Sequence, residues 1–390
     1  MQRDAGERNI AMITPECFND SNGDIVPASR AAPRRRSQAL RRLVTAIATS
    51  IVAMAAPVAF ADQAAQLEGP TGFVYTADEY GNSISKIDLT NGQVETVPVP
   101  ISPHNVQITP DEVWLLAVGD PAEDAEGHGH DSTGTESKAP GRLLVFNAAK
   151  LSAVPIASIE VGDHPAHVVT DPQGRRAFVT LAGENAVALV DLNRNEVVQK
   201  ISVGKYPHGL RISPDGKWVY IADVEENAVS VVDTTTLSEV ARIPVGKAPV
   251  QVGFTPDGSR VYVSLRDEDQ VAVIDTESRS VIAQVAVGSN PIQVHATPDG
   301  AFIYVANQGT KSRPADTVSV IDVARGNVAA TIRTGAGAHG VSVSSDGRYV
   351  FVSNIADGTV SIIDTATLTV TATIPVGKGP NGITFRSGNM

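Results

Sequence analysis

Pieces of one stretch, GKYPHGLRISPDG at residues 204–216, return down the whole chain. A sequence that repeats at a fixed interval folds as an array of like units, each burying its faces against its neighbours. The proline of that stretch recurs at Pro103, Pro165, Pro207, Pro249, Pro291 and Pro380, with Ala338 standing in once, at spacings of 62, 42, 42, 42, 47 and 42 residues. A second marker, the aspartate closing VID-like runs, keeps the period at Asp88, Asp191, Asp233, Asp275, Asp322 and Asp364, with Asn147 substituting. Within each period four short runs rich in Val and Ile are separated by turn signals, as in LRIS, KWVYIA, AVSVVD and EVARIPVG. The PDG triplets at Pro214, Pro256 and Pro298 are read as tight hairpins in which Asp-Gly supplies the positive φ angles. Beyond residue 61 no apolar period of 3.6 runs for ten residues, so helices are not expected.

Four antiparallel strands every forty-odd residues is the pattern of a propeller blade. The second strand occurs seven times, from FVYTA at residues 73–77 to YVFVS near the C-terminus. The first copy has no proline strand before it, and the last proline strand, PNGITF at residues 380–385, has no blade after it. The expected fold is therefore all-β, a seven-bladed β-propeller of four-stranded antiparallel blades, closed by the C-terminal strand completing blade one. The propeller is placed at residues 71–386, after an N-terminal extension and signal peptide (1–61) and a short linker (62–70), and before a tail (387–390). Extra length in blade two is assigned to an insertion at 119–141 between the middle strands, and five extra residues in blade six to the equivalent loop.

The leader reads as a secretory signal. Arg34, Arg35, Arg36, Arg41 and Arg42 precede the apolar run Leu43 to Phe60, and cleavage is expected between Ala61 and Asp62. The alternative is an uncleaved anchor, against which Pro57 and the small-residue exit argue. The expected location is the periplasm or the extracellular space, with no membrane span left after cleavage. The leader takes the single cysteine, Cys17, together with 8 of the 31 basic and 5 of the 43 acidic residues, leaving a net charge of −15. Such a balance disfavours a nucleic-acid partner. A cysteine-free chain needs no disulfide, and a closed propeller is expected to be monomeric.

Residues 245–288 carry the order VG, P, PDG, VYVSL, VAVID and a closing VAVG. In this they resemble the YVTN β-propeller repeat family, and the resemblance extends over about residues 70–386. It implies an exported or cell-surface seven-bladed propeller, with members that act as binding or adhesion modules. Related seven-bladed propellers include lactonases, streptogramin lyases and copper oxidoreductases, so the motif is specific for fold and nearly silent on activity.

The proline of each repeat opens the innermost strand, so the residue after it should ring one mouth of the central channel. Around the ring stand Asn381, His104, Ala166, His208, Val250, Ile292 and His339, with His164 and His167 flanking Ala166. The ligand-binding face is accordingly assigned to His104, His167, His208, His339, Asn381 and Arg211, the last as an anion anchor. His128 and His130 of the blade-two insertion, with its carboxylates, fall on the same face. Imidazoles from separate blades can gather a metal, so His104, His128, His130, His164, His208 and His339 form a candidate set for copper or zinc. The competing reading is structural, each imidazole bonding nearby backbone. Strand alternation also puts His104, His208 and His339 in phase with Val106, Leu210 and Val341 but His167 on the opposite phase, so the four need not converge. His295 is assigned to structure. Acidic groups at Asp78-Glu79, Asp223-Glu225-Glu226, Asp267-Glu268-Asp269 and Asp357 either solvate the surface or hold a cation such as calcium. No GxSxG, Walker loop or HExxH occurs, and an aromatic content of 5% is low for a carbohydrate platform. Two functions remain open: a binding module for a protein or small molecule, and a metal-dependent enzyme using the same histidines, with no cofactor certain.

Overall fold

The computed structural model describes residues 69–122 and 139–388. The signal peptide, most of the linker, and His128 and His130 lie outside the described residues. Among the described residues, seven four-stranded antiparallel sheets account for every strand. In blade one the order is Pro380–Arg386, Phe73–Asp78, Ser83–Asp88, Val94–Pro98, so the C-terminal strand is the innermost strand of the sheet the N-terminal strand begins. Tyr75 pairs with Thr384 and Phe73 with Arg386. The strand Pro380–Arg386 also touches the inner strands Ile101–Ile108 of blade two and Ala338–Val343 of blade seven, which closes the ring.

The core lies between blades rather than inside any one of them. Among the described residues there are seven apolar clusters, and each joins two neighbouring sheets. In the strand Trp218–Asp223 the alternation divides the side chains. Val219 and Ile221 enter the cluster facing blade three, while Tyr220 and Ala222 enter the one facing blade five. Both faces of a middle strand are thus buried, which is why these strands read as almost unbroken apolar runs. Outer strands such as Thr369–Pro375 are exposed on most positions and carry polar residues.

The repeat also carries a polar clasp between blades. Asn307 donates to Ser319 Oγ at 3.0 Å, and that hydroxyl accepts from the Gly288 amide at 3.3 Å. Asn354 repeats the arrangement, accepting directly from the Gly335 amide at 3.1 Å. Blades one and four use Asp78 and Asp223, each accepting from a serine hydroxyl at 2.6 Å. A Cβ on Gly288 would come within 2.5 Å of Asn307 Cγ, so the close approach itself requires glycine there. These two carboxylates, expected to solvate a surface or hold a cation, are fully buried instead.

Two local expectations are corrected. The PDG hairpins are four-residue turns. The Gly216 amide donates to Ser213 O at 2.8 Å, Gly216 alone takes positive φ (72°), and Asp215 accepts from Ser213 Oγ at 2.6 Å. The insertions begin as strand rather than loop. Blade two runs Trp114–Pro121 and resumes at Gly141–Asn147, and blade six projects a hairpin from Phe302–Thr310 to Arg313–Asp322.

Candidate functional site

Every inner strand slips register just after its proline position, which Ala338 fills in blade seven. Pro207 opposes Asp223 but Leu210 opposes Ile221, so His208 and Gly209 together face one partner residue. Pro165 and Val168 show the same slip around Ala166 and His167, and Pro103 and Asn105 a shorter one at His104. A β-bulge turns two consecutive side chains toward the same side of the sheet. His104 and His208 are one residue past their prolines and His167 is two past, yet the bulge aims all three into the channel. Their ligand nitrogens lie within 4.8 Å of one another. The phase objection raised by simple alternation therefore fails. At the ring position between His104 and His208, blade three carries the small, buried Ala166.

Hydrogen bonds fix which nitrogens are bare. His104 donates from Nδ1 to the Glu79 carboxylate at 3.1 Å, because a carboxylate can only accept. His208 donates from Nδ1 to the Val250 carbonyl at 3.2 Å. The two Nε2 atoms then face each other at 3.1 Å. With both rings neutral, two lone pairs are opposed, an arrangement relieved by a proton or a metal ion between them. His167, wholly buried, has Nδ1 3.5 Å from the Gln251 amide, while its Nε2 is buried without a hydrogen-bond partner. The rings pack at centroid distances of 4.8–5.7 Å.

A second layer supports these three. Asn381 donates to Glu79 Oε2 at 2.6 Å, and His339 donates from Nδ1 to Asn381 O at 3.2 Å. Burial opposes ionisation of Glu79, but the hydrogen bond and charge of His104, with that of Asn381, hold its carboxyl down to about 2. Burial, then the charge of His104, pushes His208 down to about 3, and the same causes take His339 to about 4. Burial, then the charges of His208 and His104, places His167 well below the ordinary range. His167, His208 and His339 are therefore neutral at physiological pH, the form that ligates metals.

The remaining assigned residues separate. His164, at φ 51°, bonds Asp120 at 2.9 Å and lies 3.3 Å from the Tyr206 hydroxyl, apart from the central three. Arg211 does not reach the histidine face. Four residues past Pro207, it lies toward the PDG turns, where it lines two cavities with His295. Glu79, read from sequence only as one of several loop acids, is the residue that orients His104. Its place in the blade-one middle-strand turn, on the same face as the residues after each proline, was the available signal.

The fold has many structural relatives. The hydrazine synthase of Kuenenia stuttgartiensis is 23% identical, over 72% of this chain and 89% of that one, with a TM-score of 0.60. A functionally unknown protein from Desulfotomaculum acetoxidans is 15% identical, over 82% and 100%, with a TM-score of 0.66. The dihydro-heme d1 dehydrogenase NirN, solved in complex with DHE, is 15% identical, over 80% and 75%, with a TM-score of 0.57. At such identities the likeness is one of fold, and these relatives differ in activity. No curated protein matches the chain. The model of the YNCE-like beta-propeller family matches residues 144–389, and the chain belongs to that family.

Proposed function

We propose that the protein is an exported binding module whose ligand is a transition-metal ion, copper or zinc, held at the histidine-lined end of the channel by His104, His167 and His208. The observation that carries this reading is the pair of facing Nε2 atoms 3.1 Å apart, with both Nδ1 positions committed to Glu79 and Val250. Bonds of about 2.0–2.1 Å from a tetrahedral zinc place its nitrogens roughly 3.4 Å apart, close to the 3.1 Å between the two Nε2 atoms, while the three ligand nitrogens, within 4.8 Å of one another, would draw together on binding. A carboxylate on the far side of one ligand and a backbone carbonyl on the far side of another are the outer partners that fix tautomer and raise basicity in metal sites. Three protein nitrogens leave a coordination position for a small exogenous ligand. Export rests on the signal-like leader alone.

The test is elemental. Tag-free protein is purified, reconstituted with copper and with zinc, dialysed, and its metal content measured by mass spectrometry. One transition-metal ion per chain is expected, falling to background in a His104→Ala/His208→Ala variant whose circular dichroism is unchanged. No retained transition metal, calcium alone, or equal metal in the variant would defeat the reading.

A further inference from the structure

We propose a second, independent site at the opposite end of the channel, where Arg211 binds a compact oxyanion bearing a carboxylate or phosphate group. It goes beyond the metal reading and does not rest on it. Counting four residues past each proline gives one ring around the channel: Gln107, Arg211, His295, Ser342 and Thr384, with two apolar members. All pair at the same register with the second strand of their blade, as Arg211 does with Tyr220, His295 with Tyr304 and Ser342 with Phe351. The ring carries one cation and several hydrogen-bonding groups but no carboxylate.

Two adjoining cavities of 360 and 280 Å³ share Arg211 and His295 in their walls, and no Asp or Glu lines either. The only hydrogen bond of the guanidinium among the described residues is to its own neighbour, Leu210 O, at 2.9 Å. Burial alone lowers its pKa, to about 10, so the group stays charged at neutral pH. Arg211 is only half-buried, but it has no counter-ion among the described residues, and arginine does not shed its charge by losing a proton. Among the described residues the fold therefore holds a fork of N–H donors beside open volume and supplies no anion for it. Gly253, at the same ring position in the next blade, lines the smaller cavity together with Arg211. Thr384 Oγ accepts from the Ile108 amide at 3.4 Å, which leaves its own proton to donate. Planar, bidentate recognition of a carboxylate or phosphate suits this donor set.

The experiment is calorimetric titration of the full chain with inorganic phosphate and, separately, with succinate, at constant ionic strength against a chloride control. Saturable one-to-one binding of at least one probe is expected, and which probe binds distinguishes phosphate from carboxylate ligands. Arg211→Gln should weaken it about tenfold or more. Arg266→Gln, which removes an equal charge from an exposed arginine paired with Asp267, should not. A second readout needs no variant: the bound anion should raise the pKa of the His295 imidazole, followed by NMR. Absence of saturable binding by either probe, or binding equally strong in Arg211→Gln with no response at His295, would overturn the proposal.

Discussion

Asp223 and Asn307 occupy the same place in their blades, and the difference between them has a measurable consequence. Burial raises the Asp223 carboxyl to about 7, against the opposing hydrogen bond from Ser230. Between roughly pH 4 and 7 the folded chain keeps a proton there that the unfolded chain has released, so this group lowers stability as pH rises through that window. Asn307 and Asn354 make the same clasp with an amide and no titration. Asp223→Asn should therefore be more stable than the parent at pH 8, by about 1–2 kcal/mol, with little gain at pH 4. Urea denaturation at the two pH values checks it, and an equal loss at both would show that the carboxylate is needed for more than its shape. Asp78, raised to about 6 by the same burial, should behave alike but more weakly.

Along the inner strands, the bulge and its glycines decide where side chains point. Alternation predicted that His167 would face away from His104 and His208, and the register slip after each proline reverses this. The slip follows no residue type that marks it in one sequence, since Ala166-His167, His208-Gly209 and Val250-Gln251 all adopt it. Gly209 shows what it requires. A Cβ there would lie 2.5 Å from Val250 O, the acceptor of His208, and 2.4 Å from Gln251 Oε1. Gly209→Ala should lose about 1–3 kcal/mol in a thermal or urea melt and weaken metal retention, because backbone must move in the strand that orients His208. A variant as stable as the parent would mean that the inner strands are not packed as closely as this. The hairpin turns failed to read correctly for a related reason: Asp-Gly suits both two- and four-residue turns, and the side-chain bond from Ser213 to Asp215 selects the longer one.

At the scale of the whole molecule, ring closure unites the ends of the chain. The strand Pro380–Arg386 covers the strand Phe73–Asp78 and brings Asn381 onto Glu79. A chain ending at Lys378 would leave that sheet edge unpaired and part of the cluster around Val74 and Phe351 uncovered. Such a truncation should aggregate or melt without a cooperative transition by calorimetry; a monomer that unfolds cooperatively would count against closure as a source of stability. The blade count, the four strands of each blade and this closure were legible because they depend on local alternation and on a spacing that recurs down the chain. That His104, His167 and His208 share one face was expected from the sequence; which of their nitrogens meet was not legible. His104 and His208 are far apart in sequence and converge across blade three, which carries the small Ala166 at that point of the ring. The sequence by itself determined the sheets and their order, since period-two burial and turn residues act over a few positions. Only the tertiary structure decided the two channel ends, because the bulges and the radial packing set direction and distance between side chains that no repeat spacing specifies.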